Sequence, residues 1–234
     1  GIVIVLACGL AAGTAAANPM RTYTFEGTLS EVQDPMGVFN PSVQVGAPFT
    51  MTVSLAADTP NDIKTSPANT QFGHYFIPAG TPDAGFRLSV AGQPVALGTP
   101  SPPGRPTDNG IVSVTNGNSF YGNALFGTIA GTSISQMRLD FQLHSASQVF
   151  SSTALPDTLH LTDFDSATIY LPVWHDGINS AGTFSYLAGT IRQVSIATDP
   201  QTTPVPEPAA LAIFGAAFAG LIAARHARRR RLGA

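Results

Sequence analysis

Phe49-Thr50-Met51-Thr52-Val53-Ser54-Leu55 is the stretch that decides the fold. Apolar Phe49, Met51, Val53 and Leu55 alternate with Thr50, Thr52 and Ser54. Successive side chains of a strand point to opposite faces, so this period of two describes a strand with one dry face and one wet face. The same period recurs on both sides. Tyr23, Phe25 and Gly27 alternate with Thr22, Thr24, Glu26 and Thr28. Residues 72–77 read as a short aromatic strand. Phe86, Leu88 and Val90 run into a turn at Ala91-Gly92-Gln93, and Val95 and Leu97 return as the second arm of a hairpin. Residues 111–115, the turn Asn116-Gly117 and the run from Ser119 form another hairpin, since Asn-Gly between apolar runs is a strong short-range hairpin signal. Met137, Leu139, Phe141 and Leu143 alternate with Arg138, Asp140 and Gln142, and residues 168–173 and 183–196 supply the last strands.

Between these runs lie turn and loop residues. Asp34-Pro35-Met36-Gly37 is a turn, and 58–70 is a polar loop holding Pro60 and Pro67. Residues 98–110, with Pro100, Pro102, Pro103 and Pro106, read as a surface loop or a boundary between subdomains. One helical turn is expected within 155–165, after Pro156. Strands at short intervals with Gly, Asn and Pro turns predict an all-β domain over 18–198, an antiparallel two-sheet β-sandwich of jelly-roll-like form. A β-barrel is the second architecture the pattern allows. Gly27-Thr28-Leu29-Ser30-Glu31-Val32 is echoed by Gly189-Thr190-Ile191-Arg192-Gln193-Val194. If the echo is structural, the first and last strands pair.

Charge separates the body from the tail. Five of the eleven basic residues are Arg225 and Arg228 to Arg231. The other six face thirteen carboxylates before Pro206, so the body carries about −7. A body so charged is a poor match for nucleic acid, whose binding requires basic residues that displace counterions. Cys8 is the sole cysteine, and it sits in the N-terminal apolar run. The body must then fold on its core and hydrogen bonds, with no disulfide.

Both ends read as targeting segments. Residues 1–17 are apolar and small, and Ala15-Ala16-Ala17 suits signal-peptide cleavage before Asn18. The basic start of such a signal is missing, so the segment reads as truncated. A lipoprotein signal, with Val5-Leu6-Ala7 ahead of Cys8, is the alternative. At the other end, 199–205 is a Pro/Thr spacer before Pro206-Glu207-Pro208. Residues 209–224 carry no charge and no side chain more polar than glycine. As a helix they would span about 24 Å, short of the ~30 Å hydrocarbon core but within what a thinner bilayer and snorkelling arginines absorb. Arg225, Arg228, Arg229, Arg230 and Arg231 should stay on the cytoplasmic side, leaving the body outside the cytoplasm.

Pro206-Glu207-Pro208, the apolar run and the arginine cluster, in that order, resemble the PEP-CTERM sorting signal of Gram-negative bacteria. The resemblance covers about the last tenth of the chain. It implies an inner-membrane intermediate and an exosortase that cuts near the Pro-Glu-Pro. The body would then be released to the cell surface or the exopolysaccharide matrix of a biofilm, with exopolysaccharide as a further partner. Phe25-Glu26-Gly27-Thr28, the Gly189-Thr190-Ile191 strand and Ala154-Leu155-Pro156 followed by Asp163-Phe164-Asp165 are also similar to bodies carried by such proteins.

Catalytic signatures are missing from the chain. There is no G-x-S-x-G elbow, no H-E-x-x-H, no C-x-x-C, no phosphate loop and no dinucleotide fingerprint. Three clusters remain. On a strand, Asp163 and Asp165 would share one face and could hold Ca²⁺, but two carboxylates fall short of its six to eight oxygens, and solvated strand-edge residues are the better reading. Trp174-His175-Asp176 offers a flat ring with polar neighbours, suited to stacking on a sugar. His74, His144, His160 and His175 could form a Zn²⁺ site in space, although no spacing suggests one. No cofactor is expected. The expected function is a non-enzymatic surface or matrix component, with a secreted carbohydrate-binding module or carbohydrate-active hydrolase as the alternative.

Overall fold

Strand formation follows the period of two. In β2 (Pro48–Ala56), Phe49, Met51, Val53 and Leu55 are buried while Thr50 and Thr52 are half-buried. The computed structural model describes residues 19–61, 72–78, 83–97, 108–115, 117–129, 132, 134–175 and 184–198. They all fall in one unit, Pro19–Asp199. The other strands are β1 (Met20–Gln33), β3 (Phe72–Pro78), β4 (Gly85–Val90), β5 (Gln93–Pro94), β6 (Asp108–Thr115), β7 (Ser119–Phe126), β8 (Ile134–His144), β9 (Ser166–His175) and β10 (Phe184–Thr198). Among the described residues the helical structure is a 3-10 turn, Leu161–Asp163, in the stretch where a helical turn was expected. No helix among them is long and apolar enough to cross a membrane. The signal segment 1–17, the spacer 199–205 and the apolar run 209–224 lie outside the described residues.

Among the described residues, the ten strands join one antiparallel sheet in the order β3-β6-β7-β8-β9-β10-β1-β2-β4-β5. The two-sheet sandwich is therefore corrected to one continuous sheet that curls into a half-barrel. Curling shows in contacts between strands far apart in that order. The Tyr23 ring of β1 lies 5.1 Å from Phe120 of β7, and Phe25 lies 4.7 Å from Phe141 of β8. Phe86 of β4 reaches across to Phe141 at 6.3 Å. A Cβ built on Gly110 of β6 would sit 2.7 Å from the Phe86 ring.

The reason lies in the two longest strands. β1 has 14 residues and β10 has 15, and they pair with each other in mid-sheet. Each has a neighbour on its other side, β2 beside β1 and β9 beside β10, so hydrogen bonding never breaks between two halves. Their pairing shifts register at Glu26/Gly27 and again at Leu29/Glu31. Such bulges bend a strand and sharpen its twist, which rolls one sheet over its own core. That core includes Tyr23, Phe25, Met51, Leu55, Phe120, Leu139, Phe141 and Leu171, all fully or almost fully buried.

The Pro-rich stretch 98–107 lies outside the described residues. The strands before and after it belong to the same unit, Pro19–Asp199. Segment 145–165 packs against the core. Arg21 donates to the Leu155 carbonyl at 3.0 Å, and the Tyr23 hydroxyl donates to the Pro156 carbonyl at 3.0 Å. Tyr75 donates to the Thr153 carbonyl at 2.7 Å.

Candidate functional site

The inner face of the sheet is filled by the core, so chemistry must be sought on the outer face and at the loops. Outward positions of β7 to β10 carry an unusual mix. On β10, Phe184 and Tyr186 stand two residues apart, with ring centroids 5.6 Å apart and nearly stacked. Tyr170 of β9 follows, 5.5 Å from Tyr186. Cross-strand pairing then sets Asp140 of β8 opposite Tyr170 and Asn123 of β7 opposite Asp140. Three rings and two polar side chains thus form a strip across four strands.

A groove of about 620 Å³ runs beside the strip, lined by Tyr121, Asn123, Arg138, Asp140, Gln142, Thr168 and Tyr170 among others. Its β8 and β9 walls come from an unbroken part of the ladder, where Asp140 pairs with Tyr170 and Gln142 with Thr168.

The electrostatics of the strip are local and balanced. Arg138 Nε donates to Asp140 Oδ2 at 2.7 Å. Burial raises the Asp140 pKa above the ordinary carboxylate value, with Arg138 pulling the other way. Tyr186 donates to Glu31 of β1, and this bond, ahead of burial, pushes its phenol up to about 12. Burial likewise raises Tyr170. Both phenols are neutral donors at any physiological pH.

Trp174 is half-buried at the end of β9, paired with Phe184 on β10 and Gln136 on β8, so it borders the aromatic end of the strip. The His175 backbone pairs with Ile134, and Asp176 lies outside the described residues. Asp163 and Asp165 are not on a strand, which corrects their expected placement. Asp163 ends the 3-10 turn, and Asp165 precedes β9 and accepts the Ala146 N–H at 2.6 Å. His74 Nδ1 meets the Ser113 hydroxyl at 2.8 Å, and His144 Nδ1 meets that of Ser119 at 2.8 Å. His160 is exposed, one residue before the 3-10 turn. Among the described residues no group of three or more His, Cys, Asp or Glu side chains could hold a metal ion. Ala15, Ala17, Asn18, Pro206, Glu207, Pro208, Arg225 and Arg228 to Arg231 all lie outside the described residues.

Sequence reasoning singled out Trp174 and missed Tyr170, Tyr186, Asp140 and Asn123 as a group. Aromatic residues at polar-face positions of β9 and β10 were the available signal. No characterised protein and no solved structure matches the chain. Residues 204–230 match the family model of the PEP-CTERM protein-sorting motif, so the chain carries a signal that implies exosortase processing, a membrane-anchored intermediate and sorting to the cell surface.

Proposed function

We propose that the chain is an exported component of the cell surface or exopolysaccharide matrix, whose β body is not an enzyme. The observation that carries this reading is the sorting motif at 204–230, which follows in sequence a β unit spanning Pro19–Asp199. The chemistry of the body supports it. A glycoside hydrolase needs two carboxylates about 5–9.5 Å apart across a cleft. Among the described residues lining the outer groove, Asp140 is the one carboxylate, and it is tied to Arg138.

Cell fractionation with intact-mass measurement tests the reading. The expected product is a released or surface-held protein beginning at Asn18 and ending near Pro206-Glu207-Pro208. Full-length chain confined to the inner membrane or cytoplasm would reject it. Release of reducing sugar from polysaccharide by the purified protein would reject the non-enzymatic part.

A further inference from the structure

We propose that the strip formed by Tyr186, Tyr170, Asp140 and Asn123, flanked by Phe184 and Arg138, binds a neutral polysaccharide of pyranose rings lying across β10 to β7. The proposal rests on the matrix reading above and names the partner the body would meet there.

Four observations converge on that ligand. The first is stacking area. A pyranose presents a C–H face that packs on the flat face of an aromatic ring. Phe184 is 42% exposed, and its ring is continuous with Tyr186 and Tyr170 at spacings of 5.6 and 5.5 Å. An isolated exposed aromatic needs no explanation, but here exposed Phe184 continues into half-buried Tyr186 and Tyr170, nearly parallel at 27° and then tilted by 54°, which makes a stepped apolar platform. The second is hydrogen bonding. Sugar hydroxyls both donate and accept. The strip answers with the Asp140 acceptor, the Arg138 donors, two neutral phenols and an amide that does both.

The third is charge. Arg138 and Asp140 neutralise each other at 2.7 Å, Glu31 adds a carboxylate beside Tyr186, and the body carries about −7. An acidic polysaccharide would be repelled from such a face, whereas a neutral one would not. The fourth is shape. Four neighbouring strands at about 4.8 Å spacing give a strip of ~14 Å. The strip is open along its length, so it suits internal segments of a long chain rather than a small enclosed ligand.

The full chain, purified in detergent, can be run by affinity electrophoresis in gels holding hydroxyethyl cellulose, galactomannan or dextran, with alginate as the acidic comparison. Retardation by at least one neutral polymer and weaker retardation by alginate are expected. Y170A/Y186A should weaken the neutral interaction more than tenfold, while Y186F, which keeps the ring, should retain it within a few-fold. F184S should weaken it several-fold. Because Phe184 is partly exposed, that variant also decides the matter if the double variant fails to fold. No retardation by any neutral polymer, unchanged retardation of F184S, or preference for alginate would overturn the proposal. Fractionation separates this failure from that of the matrix reading. Matrix-located protein that binds no neutral glycan removes the strip alone. Glycan-binding protein retained full-length at the inner membrane removes the matrix reading alone.

Discussion

Thr28 of β1 and Thr190 of β10 stand directly opposite each other and mark the centre of a local near-twofold relationship. Gly27 faces Ile191 on one side of them, and Leu29 faces Gly189 on the other. The register slips by one residue at Ser30 on β1 and at Arg192 on β10. Each extra residue is the fourth of its hexapeptide, in Gly27-Thr28-Leu29-Ser30-Glu31-Val32 and Gly189-Thr190-Ile191-Arg192-Gln193-Val194. The sequence echo is thus a pair of matched bulges. The structure pairs the two segments, as the echo required. Two bulges on opposite strands, mirrored about one point, bend both long strands together, which lets the sheet roll without tearing.

The glycines of the two hexapeptides leave room for one ring. Phe49 of β2 faces Gly27, and its ring also covers Gly189. A Cβ at Gly27 would lie 2.8 Å from that ring and collide with the Thr190 carbonyl oxygen. A Cβ at Gly189 would lie 2.7 Å from the ring and 3.1 Å from the Thr28 carbonyl oxygen. Gly189→Ala should therefore destabilise by about 1–3 kcal/mol, the usual range for overpacking a core. Gly27→Ala should cost more, because a backbone oxygen cannot swing aside. Urea midpoints measure both. In a double-mutant cycle, Phe49→Leu should recover part of the Gly189→Ala loss, since it removes the obstructing ring. Additive effects would show that the ring is not the obstacle.

The strands were legible because each exposes its period locally. Phe49 to Leu55, or Met137 to Leu143, needs no distant information to read as half-buried. The hairpin at Asn116-Gly117 was legible for the same reason, and β6 and β7 pair Thr115 with Ser119 across it. Pairing across distance was not legible. β2 pairs with β4 and β3 with β6, so neither β2 nor β4 meets β3, the strand between them in sequence. One sheet or two also depends on whether Ser30 and Arg192 bulge, and each bulge shows in the sequence only as a slip of the alternation, from Leu29 to Val32 and from Ile191 to Val194, which the end of a strand would equally produce. The outer strip was hidden for a related reason. Asn123, Asp140, Tyr170 and Tyr186 come from four strands, and only the registers set the first three opposite one another and Tyr186 on the diagonal beside Tyr170. Trp174 stood out as the sole tryptophan, yet composition could not show that it borders the platform. Asp163 and Asp165 would share a face only on a strand, and the 3-10 turn at Leu161–Asp163 and the start of β9 at Ser166 leave both outside one.

Buried hydroxyls hold segment 145–165 to the core. Tyr23 is fully buried and donates to Pro156, and Tyr75 is 5% exposed and donates to Thr153. Tyr23→Phe and Tyr75→Phe keep both rings and leave each carbonyl without its donor. Each should cost about 0.5–1.5 kcal/mol, the net value of a typical hydrogen bond. The two together should speed amide exchange within 149–160 before they change β1 or β2. Asp157 offers a contrast. It pairs with Arg21, but its side chain is 82% exposed, so Asp157→Ala should change stability by less than about 1 kcal/mol. An Asp157→Ala loss larger than that of Tyr23→Phe would mean that the ion pair, not the buried hydroxyl, anchors the segment.

Acid should loosen the first loop through Asp34. Burial works against its carboxylate, but the N–H groups of Phe39 and Val38, each at 2.9 Å, and the Ser185 hydroxyl at 2.8 Å outweigh that cost. The folded-state pKa is held below the ordinary value of 3.8. A depressed carboxylate pKa contributes stability that is complete above the unfolded value and lost as pH falls through the folded one. The wild type should therefore outlast Asp34→Asn at neutral pH, by about 1–2 kcal/mol once exposure to water is allowed for. The gap should hold down to about pH 4 and close below it. Asp140, whose pKa burial raises, contributes with the opposite sign, weakening the fold as pH rises through its folded value. Because Asp140 is present in both proteins, it cancels in the difference. Urea midpoints of the two proteins from pH 2.5 to 7 measure the gap. A gap that stays constant across that range would show that the Asp34 charge contributes nothing and that its loop is held by the backbone alone.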